Sequence, residues 1–595
     1  MNECHPLKRL QDAMRQHHID VYLVYHCDPH ISEYIPDYWK VREWLSGFSG
    51  SAGNLLVTQT DAYLWTDSRY WVQAEKELMV SGAHLMKAGQ KQTPSMSAWI
   101  AEHVPAGATI AYDPRCVTVN QFIALQQSLP GYEFKDEREL ISWLWKDRPA
   151  QVFNPIYEHE LSYAGTSVTE KLKQLRSYIK DKHQCDAVML SSLDDIAYLL
   201  NLRGSDVSFN PVFCAFLWVD AKHARLFAQL SCLNDRIRAY LESCGVQLYP
   251  YDSLDESLKD GVDAHKILMD FDRHSIHVYR LLASKAQIVS GISPSQLMKS
   301  QKTPVQIAHI REAMEKDGAA LCRFFAELEA SLNQGKKIRE YDIHDMITSE
   351  RAKEQGFVSP SFDTIAGFNE NGALPHYRAH ADTCLTIQGN GLLLIDSGGQ
   401  YIDGTTDITR VIPIGQISPA QKADFTYVLK AMIAMSQAVF PEGIESPLLD
   451  SIARMPLWQQ GLDYGHGTGH GVGYFLNVHE GPQVLSYTAH RRGHTEMFEG
   501  MVTSNEPGLY REGAWGIRIE NLLANRFYQE TPFGRYLHFE TLTLCPIDTR
   551  CIDKTLLSEQ ELRWLNAYHQ EVKERLSPRL EGKSKAWLLE RTLAI

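Results

Sequence analysis

Asp396, Asp407, His470, Glu506 and Glu520 are the side chains whose types and settings could do chemistry, each in a strand-like or glycine-flanked stretch. The apolar run Leu392 to Ile395 ends in Asp396, Ser397-Gly398-Gly399 breaks it, and Thr405 to Ile408 restarts it around Asp407. With the reversal centred near Tyr401 and Ile402, the two aspartates fall opposite each other on one face of a hairpin. Carboxylates held that close repel unless one is protonated or a cation lies between them. A turn cap plus a solvated acid is the plainer alternative. It is the reading for Asp403, before Gly404; for Asp396 and Asp407 alone, both readings stand open.

The next stretch is Gly465-His466-Gly-Thr-Gly-His470-Gly-Val-Gly473, followed by His479-Glu480-Gly-Pro482. Alternating glycines let a backbone approach a ligand or another strand closely. The run is not G-x-G-x-x-G, and no Walker loop, G-x-S-x-G or H-E-x-x-H occurs, position 483 being Gln. A lone histidine here would be structural; three within fourteen residues shift the balance towards a site. Ser504-Asn-Glu506-Pro-Gly508 and Gly516-Ile-Arg-Ile-Glu520-Asn521 then supply one Glu each. Arg518 and Glu520 alternate onto one side of a strand, where an ion pair worth little is the structural alternative. Together, two Asp, one His and two Glu suit two hard or borderline divalent ions such as Mn²⁺, better than one thiolate-bound zinc. Two such ions roughly 3.5–4 Å apart can share a hydroxide and aim it at a carbonyl.

The elements that must position these residues are legible around them. Thr303-Pro-Val-Gln306 caps a long helix with Ile307, Ile310, Met314, Leu321, Phe325 and Leu328 at helical spacing. Strands and Gly-rich turns follow. Ser558 and Glu561 cap a closing helix whose face of Leu562, Leu565, Val572 and Leu576 is core or a dimer contact, core being preferred. Upstream, one theme of helix, strand, helix, Gly-Ser turn and strands runs twice. The first copy has Leu7, Leu10 and Met14, then Val21 to Tyr25, Leu45 to Ser51, Asn54 to Val57 and Ala62 to Trp65. The second has Leu172, Leu175 and Ile179 behind a Ser167/Glu170 cap, then Ala187 to Leu190, Asp194 to Leu200, Asn201 to Asp206 and Val212 to Trp218. The expectation is two related α/β domains with a boundary near Pro149 to Pro155.

Composition bounds the function. In 595 residues, 73 Asp and Glu against 59 Lys and Arg give a charge of −14, which excludes a non-specific nucleic-acid binder. With 12 Trp, 27 Tyr and 21 Phe spread along the chain, disorder is excluded too. No run approaches the roughly 18 apolar residues of a membrane span, and the start lacks an apolar targeting region. The 11 cysteines are odd in number and form no C-x-x-C, so reduced thiols and a cytoplasmic location are expected.

The five-residue set in these motifs resembles the dinuclear site of the creatinase/methionine-aminopeptidase (pita-bread) metallopeptidase family, and its three-domain Xaa-Pro aminopeptidase branch in particular. Ser46-Gly-Phe-Ser-Gly-Ser-Ala-Gly53 and Trp65-Thr-Asp-Ser-Arg-Tyr70 are similar to that branch's first domain. Asn201-Leu-Arg-Gly-Ser-Asp206 with Asn210-Pro-Val-Phe213 is similar to its second, and Leu542 to Ile547 with Trp564 to His569 to its tail. The resemblance covers essentially the whole chain.

It implies two creatinase-like α/β domains, residues 1–152 and 153–300, then an α+β pita-bread catalytic domain, 301–535, and a helical extension, 536–595. It implies two divalent ions per chain, Mn²⁺ first and Co²⁺ or Zn²⁺ also tolerated. Asp396 would bind one ion, His470 and Glu506 the other, and Asp407 and Glu520 both. His376 and His479 would contact substrate and the developing tetrahedral centre, with His466 nearby; Arg518 would hold a bridging carboxylate. Leu374-Pro375 departs from the aliphatic residues usual before His376 and could shift that strand edge.

The implied reaction is metal-dependent removal of the N-terminal residue from peptides with proline second, by a metal-bridging hydroxide with Glu506 as proton shuttle. A homodimer without nucleic-acid or membrane partners is implied as well. The alternatives are a prolidase acting on X-Pro dipeptides, disfavoured by the duplicated N-terminal half, and a non-catalytic peptide-binding member, which would need lost ligands. Creatine hydrolysis on the same fold uses no metal and lacks the carboxylate set.

Overall fold

Capping chemistry sets the helix starts. Thr303 accepts a hydrogen bond from the Gln306 N–H while the Gln306 side chain turns back to Thr303, and Pro304 opens the helix Pro304–Asn333. Ser558 and Glu561 start Glu559–Leu576 with the same reciprocal cap, and Ser167 caps Val168–His183. The computed structural model describes residues 5–261, 264–489 and 494–595. Residues 1–4, the very start considered for a targeting signal, lie outside them.

The chain divides into two compact units, Met1–His159 with Thr166–Ser295, and Glu160–Gly165 with Gln296–Ile595. Within the first, the twice-run theme is a twice-run topology. The strand Val21–Val24 pairs antiparallel with Asn54–Thr58 and parallel with Thr109–Tyr112. Ala187–Leu190 likewise pairs antiparallel with Ala215–Asp220 and parallel with Lys266–Met269. Each of these three-strand cores is extended at both edges in the same order and direction, giving two six-stranded mixed sheets. The strand expected from Val212 starts only at Ala215. The Cys214 N–H donates to Asp206 Oδ2 at 2.8 Å and the Asp206 N–H to the Val212 carbonyl, tying residues 212–214 to the preceding turn.

In the second unit, helix Pro304–Asn333 buries Phe324, Phe325 and Leu328 in a core shared with Leu393 and Leu394 of the strand Gly391–Ser397. Leu565, Val572 and Leu576 of the closing helix join the same core, so that face is core. A buried ion pair braces the hairpin that carries Asp396. Arg351 donates to Asp317 at 2.7 and 3.2 Å and to the Gly398 carbonyl at 3.1 Å, and the Tyr401 hydroxyl donates to Asp317 at 2.9 Å. Deleting one partner of such a pair strands the other, at a cost of about 3–5 kcal/mol.

The hairpin's turn is centred one residue later than expected, which moves every cross-strand partner by two. Gln400 pairs with Thr405 and Tyr401 with Gly404, so the turn is Ile402-Asp403. Asp396 therefore faces Thr409, and Asp407 lies diagonally across the ladder. Asp403 is not a solvated turn residue: it is buried and paired with Lys316 at 2.5 Å. No helix among the described residues is long and apolar enough to cross a membrane.

Candidate metal centre

Each of the five side chains is delivered by a strand end or strand junction. Asp396 is the penultimate residue of Gly391–Ser397, and Asp407 immediately precedes Ile408–Ile414. His470 ends the short strand Gly469–His470, which pairs with Val484–Leu485. Glu506 follows Val502–Asn505, and Glu520 sits at the junction of Trp515–Arg518 and Asn521–Thr531. Strand ends suit this task because the ladder fixes the Cα while the side chain leaves the sheet.

The carboxylates and the imidazole converge. One potential ligand atom from each of Asp407, His470 and Glu520 lies within 4.8 Å of the others. His470 Nε2 is 3.5 Å from Asp407 Oδ2 and 3.4 Å from Glu506 Oε1. Asp396 Oδ1 is buried and accepts no hydrogen bond in the structure. An orphaned carboxylate oxygen among acids is the signature of a site built for a cation.

The electrostatics agree. Burial, with repulsion from Asp407 and the neighbouring acids, lifts Glu520 well above the usual carboxylate range. Asp396 is raised by burial against the pull of Arg518. Glu506 is pushed up to about 7, burial and the acids outweighing the attraction of His470. Burial opposes charge on His470, yet Asp407 and Glu506 carry it up to about 9. Protons do here the neutralising that a divalent pair would do better.

Arg518 grips Asp396 rather than Asp407 or Glu520, the carboxylates expected to bridge. Its Nη2 and Nε donate to Asp396 Oδ2 at 2.6 and 3.2 Å, joining the strand Trp515–Arg518 to Gly391–Ser397 of a different sheet. Its Nη1 donates to the Tyr510 hydroxyl at 2.7 Å, and that hydroxyl lies 2.8 Å from His466 Nε2. Its Nη2 also reaches the Pro375 carbonyl at 3.3 Å, directly before His376. Residues 374–376 form a turn after the 3₁₀ helix Asn369–Ala373, not a strand edge, so Pro375 disturbs no ladder. The 3₁₀ helix before that turn packs backbone against backbone on the strand of Arg518: a Cβ on Gly516 would lie 1.7 Å from the Gly372 carbonyl oxygen. The ring of His479 meets that of His470 edge-on, centroids 4.4 Å apart.

Sequence reasoning missed three supporting residues. Thr409 donates to Glu520 Oε2 at 2.9 Å and also receives Arg518 Nε. Arg410, fully inside, donates to the Glu520 carbonyl at 2.6 Å, to Asn521 and to the Cys545 carbonyl, locking the Glu520 junction to the tail. Tyr510 is the third. Thr409-Arg410 directly after Asp407-Ile408 was a signal at hand, since a polar pair inside an apolar strand needs buried partners.

Comparison with known proteins follows the same lines. The model of metallopeptidase family M24 matches residues 308–524, those of the creatinase/prolidase N-terminal domain match 6–144 and 147–306, and that of the C-terminal region of peptidase M24 matches 535–595. Aminopeptidase P2 of Arabidopsis thaliana is 40% identical over 96% of this chain and 86% of its own length. A probable Xaa-Pro aminopeptidase P of Coprinopsis cinerea is 38% identical over 99% of this chain and 98% of its own. The crystal structure of X-prolyl aminopeptidase from Caenorhabditis elegans, described as a cytosolic enzyme with a di-nuclear active site, superposes with a TM-score of 0.93 at 32% identity, covering 99% of this chain and 100% of that one. The chain belongs to metallopeptidase family M24, with two creatinase-like N-terminal domains ahead of a pita-bread domain.

Proposed function

We propose that this protein is a metal-dependent Xaa-Pro aminopeptidase, removing the N-terminal residue from peptides whose second residue is proline. The observation that carries the reading is the gathering of Asp407, Glu506 and Glu520 about His470, with the buried Asp396, its Oδ1 without a hydrogen bond, in electrostatic contact with Asp407. The full-length match to relatives named as aminopeptidases, rather than as dipeptidases, favours this activity over a prolidase. Asp396 would hold one divalent ion, His470 and Glu506 the other, and Asp407 and Glu520 both. Mn²⁺ is the ion of choice for this oxygen-rich set, with Co²⁺ or Zn²⁺ tolerated. Bound there, the ion pair lowers the pKa of water and polarises a carbonyl.

The protein's own residues do the rest. Glu506, steadied by the Ser504 hydroxyl at 3.2 Å, takes a proton from the attacking water and passes it to the leaving proline nitrogen. His479 and His376 donate to the oxygen on which negative charge develops. Arg518 fixes Asp396 and, through Tyr510, the ring of His466 beside the substrate. An Xaa-Pro bond lacks an N–H, so the site must recognise the ring instead of that donor.

The domain division 1–152, 153–300, 301–535 and 536–595 is part of the same reading, supported by the two sheets of like topology and by the family matches. A cytoplasmic homodimer acting on peptides, with no nucleic-acid or membrane partner, completes it. Metal analysis of the purified protein tests the centre: about two divalent ions per chain support the enzyme. No ion after incubation with Mn²⁺, Co²⁺ or Zn²⁺ would favour a peptide-binding protein without catalysis.

A further inference from the structure

Glu480 follows His479, and its side chain enters the protein between two lysines. Lys302 Nζ donates to Glu480 Oε1 at 2.7 Å, Lys299 Nζ lies 3.4 Å from Oε2, and all three side chains are at most 1% exposed. Two ammonium groups and a carboxylate are thus held together out of water. Burial pulls the Lys302 amine down from its usual range, with Glu480 opposing that pull. Apolar side chains of the same size would fill this space at lower cost.

The backbone around Glu480 is gripped from the other side. The Glu480 N–H donates to the Gly471 carbonyl at 2.8 Å and the Gly471 N–H to the Gln483 carbonyl at 3.1 Å. A Cβ on Gly471 would lie 2.0 Å from the Glu480 carbonyl oxygen, so the two chains touch as closely as glycine allows. Lys302 is itself fixed, its N–H donating to the Gly500 carbonyl at 2.9 Å. The His479–Glu480 peptide is thus clasped between the strand of His470 and the two lysines, while the His479 ring stands against that of His470.

We propose that Lys299, Glu480 and Lys302 form a buried ionic clamp that holds the His479 imidazole beside His470, making Glu480 a positioning residue for the aminopeptidase reaction. The inference rests on the assignment of His479 to substrate contact. The clamp explains why charged groups occupy a place where stability alone calls for apolar ones. It acts on His479 through the shared backbone and touches no substrate itself.

A double-mutant cycle on the metal-loaded full-length protein tests it. Glu480→Gln keeps the shape and removes the charge. Its kcat on an Xaa-Pro peptide is expected to fall about 10- to 100-fold, as for supporting groups at metal sites, with KM and bound metal within about twofold. Placed on His479→Ala, the same change should add less than about twofold. In the metal-free protein, diethyl pyrocarbonate should modify His479 severalfold faster in Glu480→Gln than in wild type, mapped by mass spectrometry. Lys299→Met, which leaves a neutral Glu480–Lys302 pair, decides the matter where Glu480→Gln fails to fold, with the same non-additive pattern expected. Full kcat in a folded variant, losses that multiply with His479→Ala, or unchanged His479 reactivity would overturn the clamp. An inactive wild type, or a fully active His479→Ala, would remove the underlying reading and the clamp with it.

Discussion

Arg518 and Asp396 form a two-pronged contact, Nη2 at 2.6 Å and Nε at 3.2 Å from the same carboxylate oxygen, leaving the buried Oδ1 without a hydrogen bond. The guanidinium therefore decides which oxygen of Asp396 is free to bind a cation. Lysine keeps the charge but not the fork. Arg518→Lys should fold normally, lose about 10- to 100-fold in metal affinity and in kcat, and loosen His466 by releasing Tyr510. Metal titration and steady-state kinetics on the purified variant check this.

Asp407→Ala and Glu520→Ala remove carboxylates from the centre of a mutually repelling set. Both variants should lose both ions and all activity while far-UV circular dichroism stays that of the wild type. Glu520 stands well above the usual carboxylate range, so its removal should leave the metal-free protein as stable as before or more so. Turnover retained in either variant would contradict the assignment.

Metal binding should be linked to pH with a definite sign. Glu506 rises from 4.5 to about 7 and His470 from 6.5 to about 9 on folding without metal. A raised folded-state pKa contributes stability that is present below the unfolded value and lost as pH climbs through the folded one. The metal-free protein should therefore lose this contribution between about pH 4.5 and 9, while divalent ions bind better as those protons leave. The rise in Tm on adding Mn²⁺, measured by calorimetry, should grow across that window. A constant or shrinking rise would count against the cluster as the binding site.

Gly516→Ala probes the packing of the 3₁₀ helix Asn369–Ala373, which leads into the His376 turn, on the strand of Arg518. The added Cβ would fall 1.7 Å from the Gly372 oxygen, and that backbone cannot swing aside like a flexible side chain. A loss of about 1–3 kcal/mol in stability is expected. A fall in kcat should accompany it as His376 moves, measured below the lowered Tm.

The sequence carried the architecture unevenly. Caps, strand ends and the duplicated theme were legible because each is a local pattern: Thr303 with Gln306, Ser558 with Glu561, and the paired runs from Val21 and Ala187. The five clustered side chains were legible for the same reason, each sitting in its own short motif. What was not legible depends on partners far along the chain. Asp403 looked solvated because Lys316 stands 87 residues before it. Arg518 looked like a surface pair with Glu520 because the strand that brings Asp396 beside it lies 122 residues away. The one-residue move of the turn, which shifts the partner of Asp396 from 407 to 409, is set by ladder pairing; alternation alone does not count it, because a two-residue shift keeps the same face.

The most direct test of the account is mass-spectrometric digestion of Arg-Pro-Pro, Arg-Pro and Arg-Ala-Ala, with Mn²⁺ and then with a chelator. The account predicts release of arginine from Arg-Pro-Pro alone, and only while metal is present. Cleavage of Arg-Pro without Arg-Pro-Pro, or of none of the three with any divalent ion, would contradict it.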